Sequence, residues 1–316
     1  MMRASVMAVV VMTLGAGCGG EAGVNVGRVE QAERASNGET VNGISMNGQG
    51  LNGISMNGTV FNGTVFNGTV FNGTVFNGIS MNGGALSGVL SDGTPLSGSG
   101  MVGAMFAGEL SGGGTVWLRI DGVDLSNADL PLYTVSYLSG SDWLPACGTE
   151  GSSPVPAMAV AGVWDGTGRR NASDATRFTF ACRTASIGKC LRLGYEPWRS
   201  ANVGGQPVSL APYIDACVRM IRADYCGTGE SWTVNGRTID LWDGVGVQNP
   251  TTSWTFEAEW TPDGARCVSS TRVVWTSRGT PSCLAALAAV PNCGSAAHFD
   301  QGALLMNRYE TQLVQP

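Results

Sequence analysis

Between Val41 and Phe106 large apolar side chains recur every fifth residue, at Val41, Met46, Leu51, Met56, Phe61, Phe66, Phe71, Phe76, Met81 and Leu86, then at Leu96, Met101 and Phe106. A glycine stands two places after each, and this series runs unbroken from Gly43 to Gly113. The place two before the bulky residue is usually small or β-branched, as in Thr59-Val60-Phe61-Asn62-Gly63. Helices space apolar residues by three and four, and half-buried strands alternate them. A period of five fits neither, so this tract calls for an architecture of its own. Beyond Thr115 ordinary patterns return. Thr115 to Ile120 is a β-rich run, and Arg177 to Arg183 alternates, with Phe178, Phe180 and Cys182 on one face. Thr255 to Trp260 alternates as well, and Thr261-Pro262-Asp263-Gly264 turns it into a strand from Arg266 to Trp275. Thr233 to Ile239, centred on Asn235-Gly236, predicts another hairpin. From Pro212 to Tyr225 the apolar residues Ile214, Cys217, Val218, Ile221 and Tyr225 follow helical spacing, with Pro212 in the first turn. Asp215 and Arg219 are placed for an i,i+4 pair on that helix. A shorter alanine-rich helix is expected over Pro281 to Val290, and strands with segregated helices make an α+β domain.

The order small, any, bulky apolar, polar, glycine resembles the pentapeptide-repeat family. That resemblance implies a right-handed, four-sided β-solenoid over residues 41–114, with a β-rich, disulfide-stabilised α+β domain at 115–316. The inward residues would stack at a spacing of about twenty, Phe61 on Met81 and Phe76 on Met56 and Leu96, with glycine taking the corner angles. The rod would be roughly 18 Å long at a strand spacing of about 4.8 Å. A flexible Gly/Asn-rich stalk is the competing reading, but linkers lack a periodic bulky position. Asn-Gly is also a hairpin signal, and at this spacing the tract leaves no room for strands between turns. The Asn-Gly pattern loosens after Gly83. Asp92 is the sole charge between Val41 and Gly108, so the tract neither mimics nor binds nucleic acid.

Composition sharpens the destination. Arg3 and the apolar run Val6 to Leu14 form a short export signal, and Leu14-Gly15-Ala16-Gly17-Cys18 resembles a bacterial lipobox. Residues 1–17 are then a lipoprotein signal peptide, Cys18 the lipid attachment site, and 18–40 a tether. Setting Cys18 aside leaves eight of the nine cysteines, Cys147, Cys182, Cys190, Cys217, Cys226, Cys267, Cys283 and Cys293. An even count in an exported chain suggests four disulfides, and local pairs such as Cys182 with Cys190 and Cys283 with Cys293 are preferred. Net charge is -6 and Lys189 is the single lysine, so no basic patch invites nucleic acid or anionic lipid.

Candidate chemistry is thin. Cys226 beside Asp224 has the look of a nucleophile with an acid partner, but a thiol nucleophile needs a base and His298 is the only histidine. Half a disulfide is the simpler role for Cys226, with Asp224 bonding backbone at the helix end and His298 on the surface. The cysteine spacings are too loose for zinc. Asp240, Asp243 and Gly244 offer oxygen ligands for calcium but not the full loop, and an Asp-Gly turn accounts for them. A glycosidase pair could be drawn from Asp224, Asp240, Asp243, Glu257 and Glu259. The nine tryptophans admit a sugar-stacking face as well as a core role. Neither a metal nor a cofactor is expected.

One block is more specific. Arg222-Ala223-Asp224-Tyr225-Cys226-Gly227, followed by Gly229, Thr238-Ile239-Asp240 and Asp243 and preceded by Lys189-Cys190 and Gly194-Tyr195-Glu196-Pro197-Trp198, resembles the ADYC domain. This family takes its name from the tetrapeptide Ala223, Asp224, Tyr225, Cys226 and is met in extracellular lipoproteins of myxobacteria, often behind Gly-Asn pentapeptide tracts. The resemblance covers roughly 115 to 300 and implies location and kinship, not chemistry. The expected function is that of an exported, membrane-anchored cell-envelope lipoprotein with a structural or recognition role, with an envelope glycan or protein as partner. A polysaccharide-binding module or glycoside hydrolase at the envelope is the alternative.

Overall fold

The computed structural model describes residues 76–90, 93–110, 115–164, 169–171, 177–233, 237–272 and 279–311, with short strands at 33–35, 51–52 and 54–55. The expected signal peptide, Cys18, most of the tether, most repeats before Phe76 and Trp275 lie outside the described residues. The last repeats form an antiparallel meander of β1 (Phe76–Asn82), β2 (Ala85–Leu90) and β3 (Pro95–Ser97). Over this stretch the expectation that five-residue spacing excludes hairpins is overturned. Strand β1 runs straight through Gly78, absorbing the repeat boundary as a bulge, and the chain reverses at Gly83-Gly84. That reversal falls where the Asn-Gly pattern loosens.

The meander docks on a curled antiparallel sheet of order β4 (Met105–Leu110), β5 (Thr115–Asp124), β6 (Leu132–Ser139), β8 (Ala157–Ala161) and β9 (Arg177–Cys182), with β7 (Asp142–Pro145) hairpinned onto β6. The Tyr133 hydroxyl fastens the two, accepting from the Leu86 amide at 2.8 Å and donating to the Gly84 carbonyl at 3.3 Å. Strand pairing therefore crosses the change of composition near Thr115, because β4 comes from the repeat side and pairs Met105 with Arg119 and Phe106 with Leu118. Alternation sets the faces: Val116, Leu118 and Ile120 point inward and are buried, whereas Trp117 and Arg119 point outward. The sheet curls until Phe106 of β4 meets Phe178 and Phe180 of β9, edge to face at 6.0 and 6.1 Å. Such pairs add about 0.5–1.5 kcal/mol each beyond burial. The segments Leu51–Asn52 and Ile54–Ser55 pair with β4 and β9 at its two edges.

A helical layer follows. Helix α1 (Ser186–Arg192) and helix α2 (Ala211–Arg222) lie between the outer face of β8 and β9 and a second sheet. That sheet has the order β10 (Arg237–Asp243), β13 (Leu305–Tyr309), β11 (Thr255–Thr261), β12 (Gly264–Val268), with Glu33–Ala35 against β10. One core joins Met158, Val160 and Ala181 through Ile214, Val218 and Ile221 to Ile239, Trp260 and Leu305. Helix α2 is thus covered on both sides, and α1 comes so close to β9 that a Cβ at Gly188 would stand 2.1 Å from the Cys182 carbonyl oxygen. A short helix α3 (Leu284–Ala288) lies within the expected alanine-rich segment.

The expected pair Asp215–Arg219 is rearranged, although the Arg219 charge still acts on the Asp215 carboxyl. Arg219 is drawn into the core, 1 % exposed, and Asp215 faces Arg170 at 3.4 Å instead. The disulfides also depart from the expected local pairs: Cys147 bonds Cys182, Cys190 bonds Cys217, Cys226 bonds Cys283 and Cys267 bonds Cys293. The reason is layering. Cys182 ends a strand of the curled sheet and takes a partner from the loop beyond β7, while Cys190 on α1 faces Cys217 on α2. The bridges fasten element to element, where local pairs would have closed single loops.

Candidate functional site

The residues singled out by the sequence gather at the C-terminal end of α2, at the hinge between the helical layer and the second sheet. Ala223 takes left-handed angles, φ 52° and ψ 39°. The Asp224 amide then bonds the Arg219 carbonyl and the Ala223 amide the Met220 carbonyl, the paired reverse bonds of a Schellman cap. Glycine usually fills that place; alanine is tolerated at a cost of about 1–2 kcal/mol.

Asp224 comes next and is fully buried. Its carboxylate accepts from the amides of Thr228 at 3.1 Å and Gly229 at 2.8 Å and forms an ion pair with Arg219, whose Nε donates to the Pro262 carbonyl at 3.0 Å. Tyr225 sends its hydroxyl 2.6 Å to Glu257, whose other oxygen accepts from Asn307 at 2.6 Å and Arg272 at 3.2 Å. Burial first, and then the Glu257 charge, lift the Tyr225 phenol well above its ordinary value, so it stays a neutral donor. The Tyr225 ring stacks on Trp260 at 5.4 Å, and Cys226 closes the disulfide to Cys283. Gly227 ends the turn with φ +66°, and a Cβ there would lie 1.8 Å from the Asp263 carbonyl oxygen. The tetrapeptide is therefore a fastening: each residue secures a different neighbour, and Cys226 carries no free thiol for nucleophilic attack.

The other candidates are used in the same way. Asp243 accepts from the amides of Val245, Gly246, Val247 and Gln248 and from the Tyr195 hydroxyl at 2.8 Å. Asp240 accepts from the amides and hydroxyls of Thr251 and Thr252. These are loop-shaping carboxylates saturated by donors, which leaves calcium no lone pairs to claim. Glu259 is buried and accepts from Gly294 at 2.7 Å and Arg266 at 3.2 Å. His298, expected on the surface, is 12 % exposed and bonds Glu259 through Nδ1 at 2.6 Å. Glu259, Cys267 and Cys293 hold ligand atoms within 4.8 Å of one another, but both sulfurs are spent in a disulfide and fit no metal. The five carboxylates considered for glycoside hydrolysis are thus all buried, holding core partners or shaping loops. A groove of about 440 Å³ on the meander, lined by Ile79, Ser80, Ser87, Val89, Pro95 and Leu96, carries no titratable side chain.

Asp215 was noticed in the sequence only as a helix partner. Burial raises its carboxyl to about 6, against the lowering effects of Arg170 and Arg219. A folded pKa above the ordinary 3.8 means that this group favours folding most below pH ~4 and loses that contribution as pH rises through about 6. Asp215→Asn is accordingly expected to gain about 1–3 kcal/mol on wild type between pH 4 and 7. Urea midpoints of both proteins across that range check it, and a constant difference between the two curves would contradict the assignment.

Of the tryptophans, Trp164, Trp232 and Trp260 are buried, while Trp117, Trp143, Trp198, Trp242 and Trp254 are half-buried. Arginines lie over Trp143 (Arg119, 4.4 Å), Trp242 (Arg308, 4.8 Å) and the buried Trp164 (Arg170, 5.9 Å). In comparison with known proteins, the ADYC domain profile matches residues 98–274, more than half of the chain, and pentapeptide repeats match eight copies over 51–88. No curated protein and no solved structure matches.

Proposed function

Because the chain belongs to the ADYC-domain family, we propose that it is an exported lipoprotein, anchored in the cell envelope through Cys18, whose head has a structural or recognition role. The observation that carries this reading is the pairing of all eight cysteines from Cys147 to Cys293 into four disulfides. Such bridges persist in oxidising compartments and are rare where thiol buffers operate. The fastened state of the tetrapeptide supports a head that displays a surface instead of turning over a substrate.

In this reading residues 18–40 form the tether and the Asn-Gly tract ahead of the meander is a right-handed, four-sided β-solenoid spacer. Its near absence of charge suits a neutral rod, and its partner would be an envelope glycan or protein. The test is to express the full chain with its own leader in a Gram-negative host and feed an alkyne fatty acid. Wild type is expected to be labelled and to sediment with membranes, and Cys18→Ser to lose the label and be released. Labelling that persists in Cys18→Ser, or a cytosolic protein with free thiols, would overturn the proposal.

A further inference from the structure

The curled sheet is closed by a strand borrowed from the repeat tract. Leu51 and Asn52 pair antiparallel with Leu110 and Glu109 of β4, and Ile54 and Ser55 pair antiparallel with Phe178 and Arg177 of β9. These two pieces stand a single residue apart in sequence, so residues 51–55 run between the end strands and bring the sheet round on itself. Without that strand β4 and β9 would each show a row of unpaired amides and carbonyls, a template for any extended chain. The hold on it is slight. Two residue pairs secure it on each side, against five between β4 and β5. The sequence in the slot is also repeated. Leu51-Asn52-Gly53-Ile54-Ser55-Met56-Asn57-Gly58 recurs with one change at 41–48, where Val41 stands for Leu51, and with one change at 76–83, where Phe76 does. The copy at 76–83 supplies β1, with its register shifted at Asn77-Gly78, the place that corresponds to Asn52-Gly53. The same words thus make strand in two settings.

We propose that the slot between β4 and β9 is an acceptor for a second copy of this chain, which enters it with the Asn-Gly-Ile-Ser segment that closes the slot in cis. Strand addition is held by main-chain bonds, so the same segment from a neighbour makes the same ladder. Exchange of an identical element between protomers needs no new kind of contact and is a low-cost route to a dimer. Outside the meander the chain carries that segment twice, at 42–45 and 52–55, against one such slot among the described residues. A chain whose own slot is filled therefore still has a donor to offer. Reach is sufficient as well. Twenty residues, 56–75, separate the donor from β1, which spans up to about 70 Å when extended. Nothing repels the approach of two tracts, since Asp92 is the sole charge between Val41 and Gly108. This use of one repeat does not depend on how the others coil, nor on a lipid at Cys18.

The test is disulfide trapping between chains. Asn52 and Glu109 are partners in an antiparallel ladder, where Cα atoms stand about 4.5–5.5 Å apart, within the span of a disulfide. Every protein is the full chain carrying Cys18→Ser, so each variant adds a single thiol. Asn52→Cys and an affinity-tagged Glu109→Cys are purified separately, mixed, incubated and oxidised. A non-reducing gel is expected to show the heterodimer, and an excess of the Cys18→Ser parent to suppress it by competing for the slot. Glu150→Cys, exposed beside Arg183 at the far end of β9, takes the place of Glu109→Cys as the control for random oxidation and should capture none. Thermal melts check that each variant is folded before mixing. A disulfide that forms only when Asn52→Cys and Glu109→Cys share one chain would show closure in cis alone and end the case for exchange. Equal capture by Glu150→Cys would do the same.

Discussion

Asp224→Ala is expected to cost about 3–5 kcal/mol of stability, because it leaves a buried arginine without its counter-charge. Arg219 is 1 % exposed and Asp224 fully buried, so water cannot replace the lost partner. Two backbone donors, Thr228 and Gly229, lose their acceptor in the same step. Asp224→Asn keeps the shape and one acceptor oxygen, and should cost less, about 1.5–3 kcal/mol. Adding Arg219→Met to Asp224→Asn should recover part of the loss, since an uncharged pair needs no compensation. Urea denaturation of the oxidised protein reads all three. A catalytic Asp224 would behave in the opposite sense, its replacement leaving the melting curve in place or raising it.

The second large effect lies one turn further on. Replacing Cys226 and Cys283 together by alanine opens the longest of the four loops, with a sequence separation of 57. The chain-entropy argument puts the loss at about 4 kcal/mol. The bridge is the covalent link between the end of the tetrapeptide and the segment leading into α3, so hydrogen exchange should rise first at 279–294. If the double variant melted with wild type, Cys226 would owe its place to something other than the bridge.

The sequence made the fastening visible more readily than the frame around it. Helix α2 was legible because its apolar residues keep helical spacing, and the strands 177–182 and 255–261 because theirs alternate. Helix α1 was not, since Ser186 to Leu191 are all buried and no polar face marks a period. Strand β8, Ala157-Met158-Ala159-Val160-Ala161, fails for a related reason: it is covered on both faces and reads as an unpatterned apolar run. Strand β13 hides Asn307 in the core, where a local pattern calls for an apolar residue; only the long-range partners Trp260 and Glu257 explain it. Disulfide partners are long-range too, and spacing favours neighbours in sequence where the layers favour neighbours in space.

The disulfide map divides the region from Cys147 to Cys293 into three closed units, 147–182, 190–217 and the interlocked 226–293. A protease cut inside any unit leaves both halves covalently joined. Only two stretches are bridged by nothing, 183–189 and 218–225. The second is buried throughout, from Val218 through Asp224 to Tyr225, and the first is buried from Ser186 onward. Between Cys147 and Cys293 an enzyme that parts the chain must therefore cut at the half-buried 183–185 or in the buried stretches 186–189 and 218–225, and a molecule nicked elsewhere in that region keeps its mass until it meets a reductant.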